Sequence, residues 1–350
     1  MDLLLIRHKK WAQLYDCSLL SPAEWEAERN PNRILGIAYG STGIIFIVMY
    51  IICLKVMWTL RRSSCLKIMI LLGILDIANL ALNAVLTGYF TYTGAVYCSS
   101  PLLSYVGGAL VFGFWCNCCA TSVLLALNRF LELLIPHKME PLFGGHRTYF
   151  WFILPFLYGF YYTWFTPAPT YSSKGYAWFF DPYLAIEGIN VNRSLYVNPG
   201  HEFHNTATPV VIIIFYALIS LTLWYKTRKT ATLVVTRFQK RLILQSCIIC
   251  SFNLAACLLY IYIQQQAEPS TWLVILTQVL WICCNCELRP YNKPNQDYPG
   301  GAVVIYLILN ETIRDGFLKI VMPKILQDLR APNVTPFPAV TSVVPVTRAY

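Results

Sequence analysis

Six uninterrupted apolar runs constrain this chain more than any other feature: Ile34–Trp58, Ile68–Phe90, Leu102–Ile135, Thr148–Thr166, Pro209–Tyr225 and Leu242–Ile263. A hydrocarbon core about 30 Å thick needs ~20 apolar residues of helix, and only a helix satisfies its own backbone hydrogen bonds within one such segment. The runs therefore predict an all-α, multi-pass fold whose main partner is the lipid bilayer. Composition agrees, with 57% hydrophobic residues and only 13% charged, against ~25% charged in an ordinary soluble domain. Soluble multidomain, disordered, fibrous and small disulfide-scaffold classes are excluded.

A seventh span is irregular. Thr271–Trp281 is apolar, Ile282–Tyr298 carries Glu287, Arg289, Lys293, Asp297 and two prolines, and an apolar stretch resumes at 300–311. Each half is about ten residues, too short to cross alone. Together they make one seventh helix interrupted by an insert, which a real loop and a retained intron explain equally. The expected organisation is an outer segment at 1–33, a seven-helix bundle at 34–311 and a tail at 312–350.

Lys and Arg in the short connectors set the orientation. Connectors one, three and five hold Arg61, Arg62, Lys67, Arg129, Lys138, Arg147, Lys226, Arg228, Lys229, Arg237, Lys240 and Arg241, whereas two, four and six hold only Lys174 and Arg193. The odd connectors and the tail are thus expected in the cytosol and the N-terminus outside. The net charge of +10 then reads as topology rather than nucleic-acid binding. Leu3-Leu4-Leu5-Ile6, ended by Arg7, is too short for the core of a cleaved signal peptide, so the first span is expected to direct insertion. Asn192-Arg193-Ser194 is a glycosylation acceptor in the longest outer loop. The similar sites at Asn310 and Asn333 fall on the cytosolic side and are expected to stay bare.

Ionisable groups at membrane depth are costly and mark function or a satisfied partner. Asp76 lies within the second span, with Asn79 and Asn83 at i+3 and i+7 forming a polar stripe; a conformational role and a purely structural one both fit. Arg129 ends the third span, where it either snorkels to the surface, pairs with Glu132 or acts functionally. The five histidines, His8, His137, His146, His201 and His204, are assigned to loops, and His201-x-x-His204 lacks the i, i+4 spacing of a zincin helix. No catalytic set, metal site or cofactor site is expected. Cys17 and Cys98 are the two cysteines left on the oxidising side once the insert is placed inside, so they are expected to be bridged. The outer helix halves hold Tyr89, Tyr158, Tyr161, Tyr162, Trp164, Tyr260 and Tyr262. This set is either an interfacial belt or the lining of a pocket for a small, mostly apolar ligand.

Several stretches carry a resemblance: Cys17 followed by Asn-Arg-Ile-Leu-Gly-Ile at 32–37, Ser64-Cys65-Leu66-Lys67-Ile68-Met69 with Gly73 and Asp76, Ala126-Leu127-Asn128-Arg129-Phe130, and 302–310 followed by Thr312-Ile313-Arg314. In order and spacing the chain resembles the nematode serpentine chemoreceptors of class T, over roughly residues 15–325. The resemblance implies a G-protein-coupled receptor at the plasma membrane, in a sensory cilium, with a heterotrimeric G protein and an external small molecule as partners. Arg129 then looks like the Arg of the Asp-Arg-Tyr triplet, with Asn128 and Phe130 as its neighbours. Tyr306 resembles the Tyr of the seventh-helix Asn-Pro-x-x-Tyr motif, whose Asn and Pro are missing here. Lys240 and Arg241, opening the sixth span, join Arg129 in a basic inner face for the G protein. The long outer loop has no cysteine for Cys98, which favours Cys17. The competing function is a small transporter or channel, suggested by the broken seventh span but unsupported by any internal repeat.

Overall fold

A computed structural model describes residues 1–59, 61–229, 251, 253–266 and 269–285. Helix α1 spans Arg33–Thr59 and starts where Asn32 Oδ1 accepts the Leu35 N–H at 3.0 Å, a side-chain cap for a donor the helix cannot use. Ser63 caps α2, which runs Ser64–Thr93 through a π-helical turn at Ala81–Leu86. Gly94 stops it at φ +70, a left-handed conformation glycine adopts without steric cost. Helix α3, Pro101–Leu134, is 34 residues or about 50 Å long, so it projects beyond a hydrocarbon core. A short turn, Arg147–Trp151, precedes α4, Ile153–Phe165. The expected single span at 148–166 is thus broken near Phe152, because Pro155 has no N–H for the Trp151 carbonyl.

Strands β1 (Thr170–Ser172) and β2 (Ala177–Phe179) form an antiparallel hairpin in which Tyr171 pairs with Trp178. Helix α5 spans Pro199–Lys229, α6 spans 253–265 and α7 spans Thr271–Cys284. Two sequence expectations change here. Helix α5 begins ten residues before Pro209, because its first turns are polar and hydropathy does not register them. Helix α7 runs three residues past Trp281, so Ile282, Cys283 and Cys284 are helix rather than insert. The rest of the insert, the second half at 300–311 and the tail lie outside the described residues.

Helices α2 and α3 are central, each burying 67% of its apolar window, whereas α1 and α5 bury only 22%. The apolar side chains those outer helices expose, among them Ile34, Ile45, Leu221 and Trp224, would be an aggregation surface in water and suit lipid. With little hydrophobic drive between helices in lipid, close approach of small residues supplies the packing. A methyl added at Gly36 of α1 would stand 2.7 Å from the Gly88 carbonyl oxygen of α2, and one at Gly88 2.7 Å from that of Gly36. Gly88→Val should therefore separate the two helices and destabilise the bundle by ~1–3 kcal/mol. Cell-surface biotinylation should show a several-fold drop relative to Ala38→Val, and equal surface levels would refute the close crossing.

Candidate functional site

At one end of the bundle Cys17 and Cys98 form a disulfide, with Cα atoms 5.6 Å apart. It ties the segment before α1 to the turn before α3. Tyrosines hold that segment: the Tyr183 hydroxyl donates to the Asp16 carbonyl at 2.9 Å, and that of Tyr196 to the Leu14 carbonyl at 2.7 Å. Burial, with the nearby charge of Asp181, pushes the Tyr196 hydroxyl up to about 12, so it stays a donor. Burial also raises the Asp181 carboxyl, against the Tyr183 N–H and Arg193, which lower it. Asn192 is exposed at this end, where its side chain accepts from Ser194 N and Oγ.

The hairpin roofs the bundle beside this segment. Gln264 of α6 clamps it, donating from Nε2 to the Trp178 carbonyl at 2.9 Å and accepting from Phe180 N at 3.2 Å. The Trp178 indole donates to Thr87 Oγ1 at 2.8 Å. A methyl at Gly108 would stand 1.5 Å from the Pro169 carbonyl oxygen, so the hairpin's approach to α3 requires glycine there.

Beneath the roof is a narrow slot of about 30 Å³ walled by Phe112, Trp115, Trp178, Phe180, Tyr260 and Trp281. It continues into a wider vestibule of about 340 Å³, open to solvent and bounded in part by Asp181, Arg193, Glu202 and Gln265. His201 lines both. His201 and His204, expected in a loop, are buried on the first turns of α5. Their hydrogen bonds make a polar helix start tolerable inside the bundle. Asn205 Nδ2 and His201 Nε2 are 2.9 Å apart, Trp115 Nε1 donates to Asn205 Oδ1 at 3.2 Å, and His204 Nδ1 lies 3.0 Å from the Tyr158 hydroxyl.

Of the aromatics chosen by depth, Tyr260 is part of the slot wall, its hydroxyl donating to Gln278 Oε1 at 2.5 Å. Tyr162 is buried behind the wall, bonded to the Gly200 carbonyl, with half-buried Tyr158 beside it. Tyr89, Tyr161 and Tyr262 are instead exposed by half or more, and half-buried Trp164 stacks on Phe160. Successive helical residues diverge by ~100°, so residues picked by depth alone cannot share one face.

Deeper in the bundle a second polar cluster surrounds Asp76, which is 4% exposed. The Tyr50 hydroxyl lies 3.0 Å from Asp76 Oδ2 and donates to the Asn285 carbonyl at 2.7 Å. Asn79 Nδ2 donates to Asn285 Oδ1 at 2.8 Å, and Cys118 lines the same cavity as Asp76. Asn83 is buried on the same stripe, its carbonyl accepting from Gln278 Nε2 at 2.7 Å. A small cavity of about 20 Å³ beside Asp76 shares Trp115 with the slot. Sequence reasoning missed Tyr50, Cys118 and above all Asn285, assigned to the insert. The spacing of Gln278, Trp281 and Asn285, three then four residues, is the helical signal that continues α7.

At the other end Arg129 Nη1 pairs with Glu132 Oε2 at 3.3 Å, with 26% and 50% of the two side chains exposed. Asn128 is fully buried and turned away, donating to Ser64 Oγ of α2 at 3.1 Å. The nearby Lys226 ammonium donates to the Leu133 carbonyl. Lys240, Arg241 and Tyr306 lie outside the described residues.

Residues 3–329 match the model of the family described as serpentine type 7TM GPCR chemoreceptor Srt. The chain is similar to serpentine receptor class T-55 of Caenorhabditis elegans, at 29% identity over 252 residues, 69% of this chain and 66% of that relative. A bundle of long apolar helices and a match along nearly the whole sequence lead to one family: the chain belongs to the serpentine type seven-transmembrane chemoreceptors of class T.

Proposed function

We propose that this chain is a chemosensory receptor of the plasma membrane. A small molecule from outside the cell occupies the aromatic slot, and the bundle shifts toward a state whose Arg129 end activates a heterotrimeric G protein. The observation that carries this reading is Trp115, which walls the slot and also lines the cavity of Asp76. One rigid side chain thus gives a ligand differential contact with the polar core, which a population shift requires. Measuring ligand-evoked nucleotide exchange on a G protein tests the reading, and ion current without exchange would replace it with a transporter or channel.

Orientation follows from two supports. The charge asymmetry of the connectors puts the Arg129 end in the cytosol, and the Cys17–Cys98 bridge belongs on the oxidising side. Asn192 would then be outside and modified. A glycosidase should sharpen the band of the wild type and leave Asn192→Gln unaffected, whereas no shift in the wild type counts against the topology.

Asp76 is assigned to the conformational equilibrium. Asp76→Asn keeps the shape and removes the ionisable carboxyl beside Tyr50 and Cys118, so surface expression should persist. The half-maximal ligand concentration should move at least about fivefold, the lower end of a typical coupling free energy. Superimposable dose–response curves would leave Asp76 a packing residue.

A further inference from the structure

The hydrogen bonds around His201 fix which proton it holds. An indole N–H can only donate, so Trp115 Nε1, 3.2 Å from Asn205 Oδ1, defines that atom as the amide oxygen. The other end of Asn205 is then NH2, and it donates to His201 Nε2 at 2.9 Å. Nε2 must carry a lone pair, since an imidazolium would set two donors face to face. The ring is neutral with its proton on Nδ1, and among the described residues Nδ1–H has no hydrogen-bond partner. Trp281 Nε1–H, on another lining residue, also has none.

Each amide oxygen at the slot already accepts one hydrogen bond. Gln264 Oε1 accepts from Phe180 N, and Asn205 Oδ1 from Trp115. No Lys, Arg, Asp or Glu is among the described residues that line the slot, so a charged ligand would lose its hydration with nothing to replace it.

We infer that the slot takes an uncharged, mainly apolar molecule bearing an acceptor oxygen of the carbonyl or ether type, held by His201 Nδ1–H where the slot meets the vestibule. Trp115 and Asn205 are positioning residues that keep the proton on Nδ1. The inference rests on the receptor reading for its biological use, but binding can be measured without it.

Three probes share one skeleton: acetophenone with the acceptor, ethylbenzene without it, and 1-phenylethylammonium with a charge. Calorimetric titration of the full-length receptor in nanodiscs, with empty nanodiscs subtracted, should give saturable binding of acetophenone. Ethylbenzene should bind about tenfold more weakly, the effect of one hydrogen bond in a dry site, and the ammonium ion more weakly still. His201→Phe should bring the acetophenone to ethylbenzene ratio near one. Trp115→Phe, which frees the Asn205 amide to turn over, should reduce the same ratio and serves if the first variant misfolds. Equal wild-type affinities for ketone and hydrocarbon, tighter binding of the cation, or no saturable binding by any probe would overturn the inference. Ketone binding that never produces nucleotide exchange with any G protein would overturn the receptor reading alone.

Discussion

Arg129→Ala should abolish G-protein activation, or lower it by more than tenfold, while ligand affinity stays within a few fold. Arg129 sits near the C-terminal end of α3, where Glu132, one turn on and half exposed, is an ion-pair partner. A surface pair of this kind contributes ~0.2–1 kcal/mol, so an acidic or carbonyl-rich helix end of a G protein can take the guanidinium over. The residue that could have restrained it is Asn128, uncharged and committed to Ser64. A guanidinium that only anchors helix depth could be replaced by Lys, because both side chains snorkel. A guanidinium that binds needs its planar fork of donors, which Lys lacks. Arg129→Lys should therefore also lose most coupling. Nucleotide exchange at matched surface expression decides it, and near wild-type signalling from both variants would remove Arg129 from the coupling surface.

Loss of the disulfide should have the second large effect. Cys17 and Cys98 are separated by 81 positions, and closing a loop of that length restricts the open chain by ~4 kcal/mol in the chain-entropy account. The segment before α1 buries Tyr15 and Trp25 against Tyr97, Tyr105, Tyr183 and Tyr196, and those contacts depend on the tether. Cys17→Ser and Cys98→Ser should each reduce surface delivery several-fold, and the double variant should match either single, because both remove one bond. Clearly additive losses, or a free Cys98 thiol in non-reduced protein, would contradict the bridge.

Membrane insertion was legible in the sequence because it depends on a local quantity. Twenty apolar residues cost too much exposed to water and must form helix in lipid, wherever the rest of the chain goes. The spans of α1, α2 and α3 could therefore be drawn to within a few residues. The polar residues were misjudged for the same reason. Hydropathy treats His201, His204 and Asn205 as loop formers and Asn285 as part of an insert, yet all four lie buried in the bundle. A buried polar group is stable only when its partner is present, and the partners Trp115, Tyr158, Asn79 and Tyr50 come from other helices. Which tyrosines face the slot, that a hairpin roofs it, and that Trp115 joins it to Asp76 depend on helix rotation and contact. What the sequence by itself determined was where the chain meets lipid, since each segment settles that alone. What only the tertiary structure decided was which polar and aromatic groups meet each other, since a hydrogen bond or a cavity wall needs residues that no local pattern brings together.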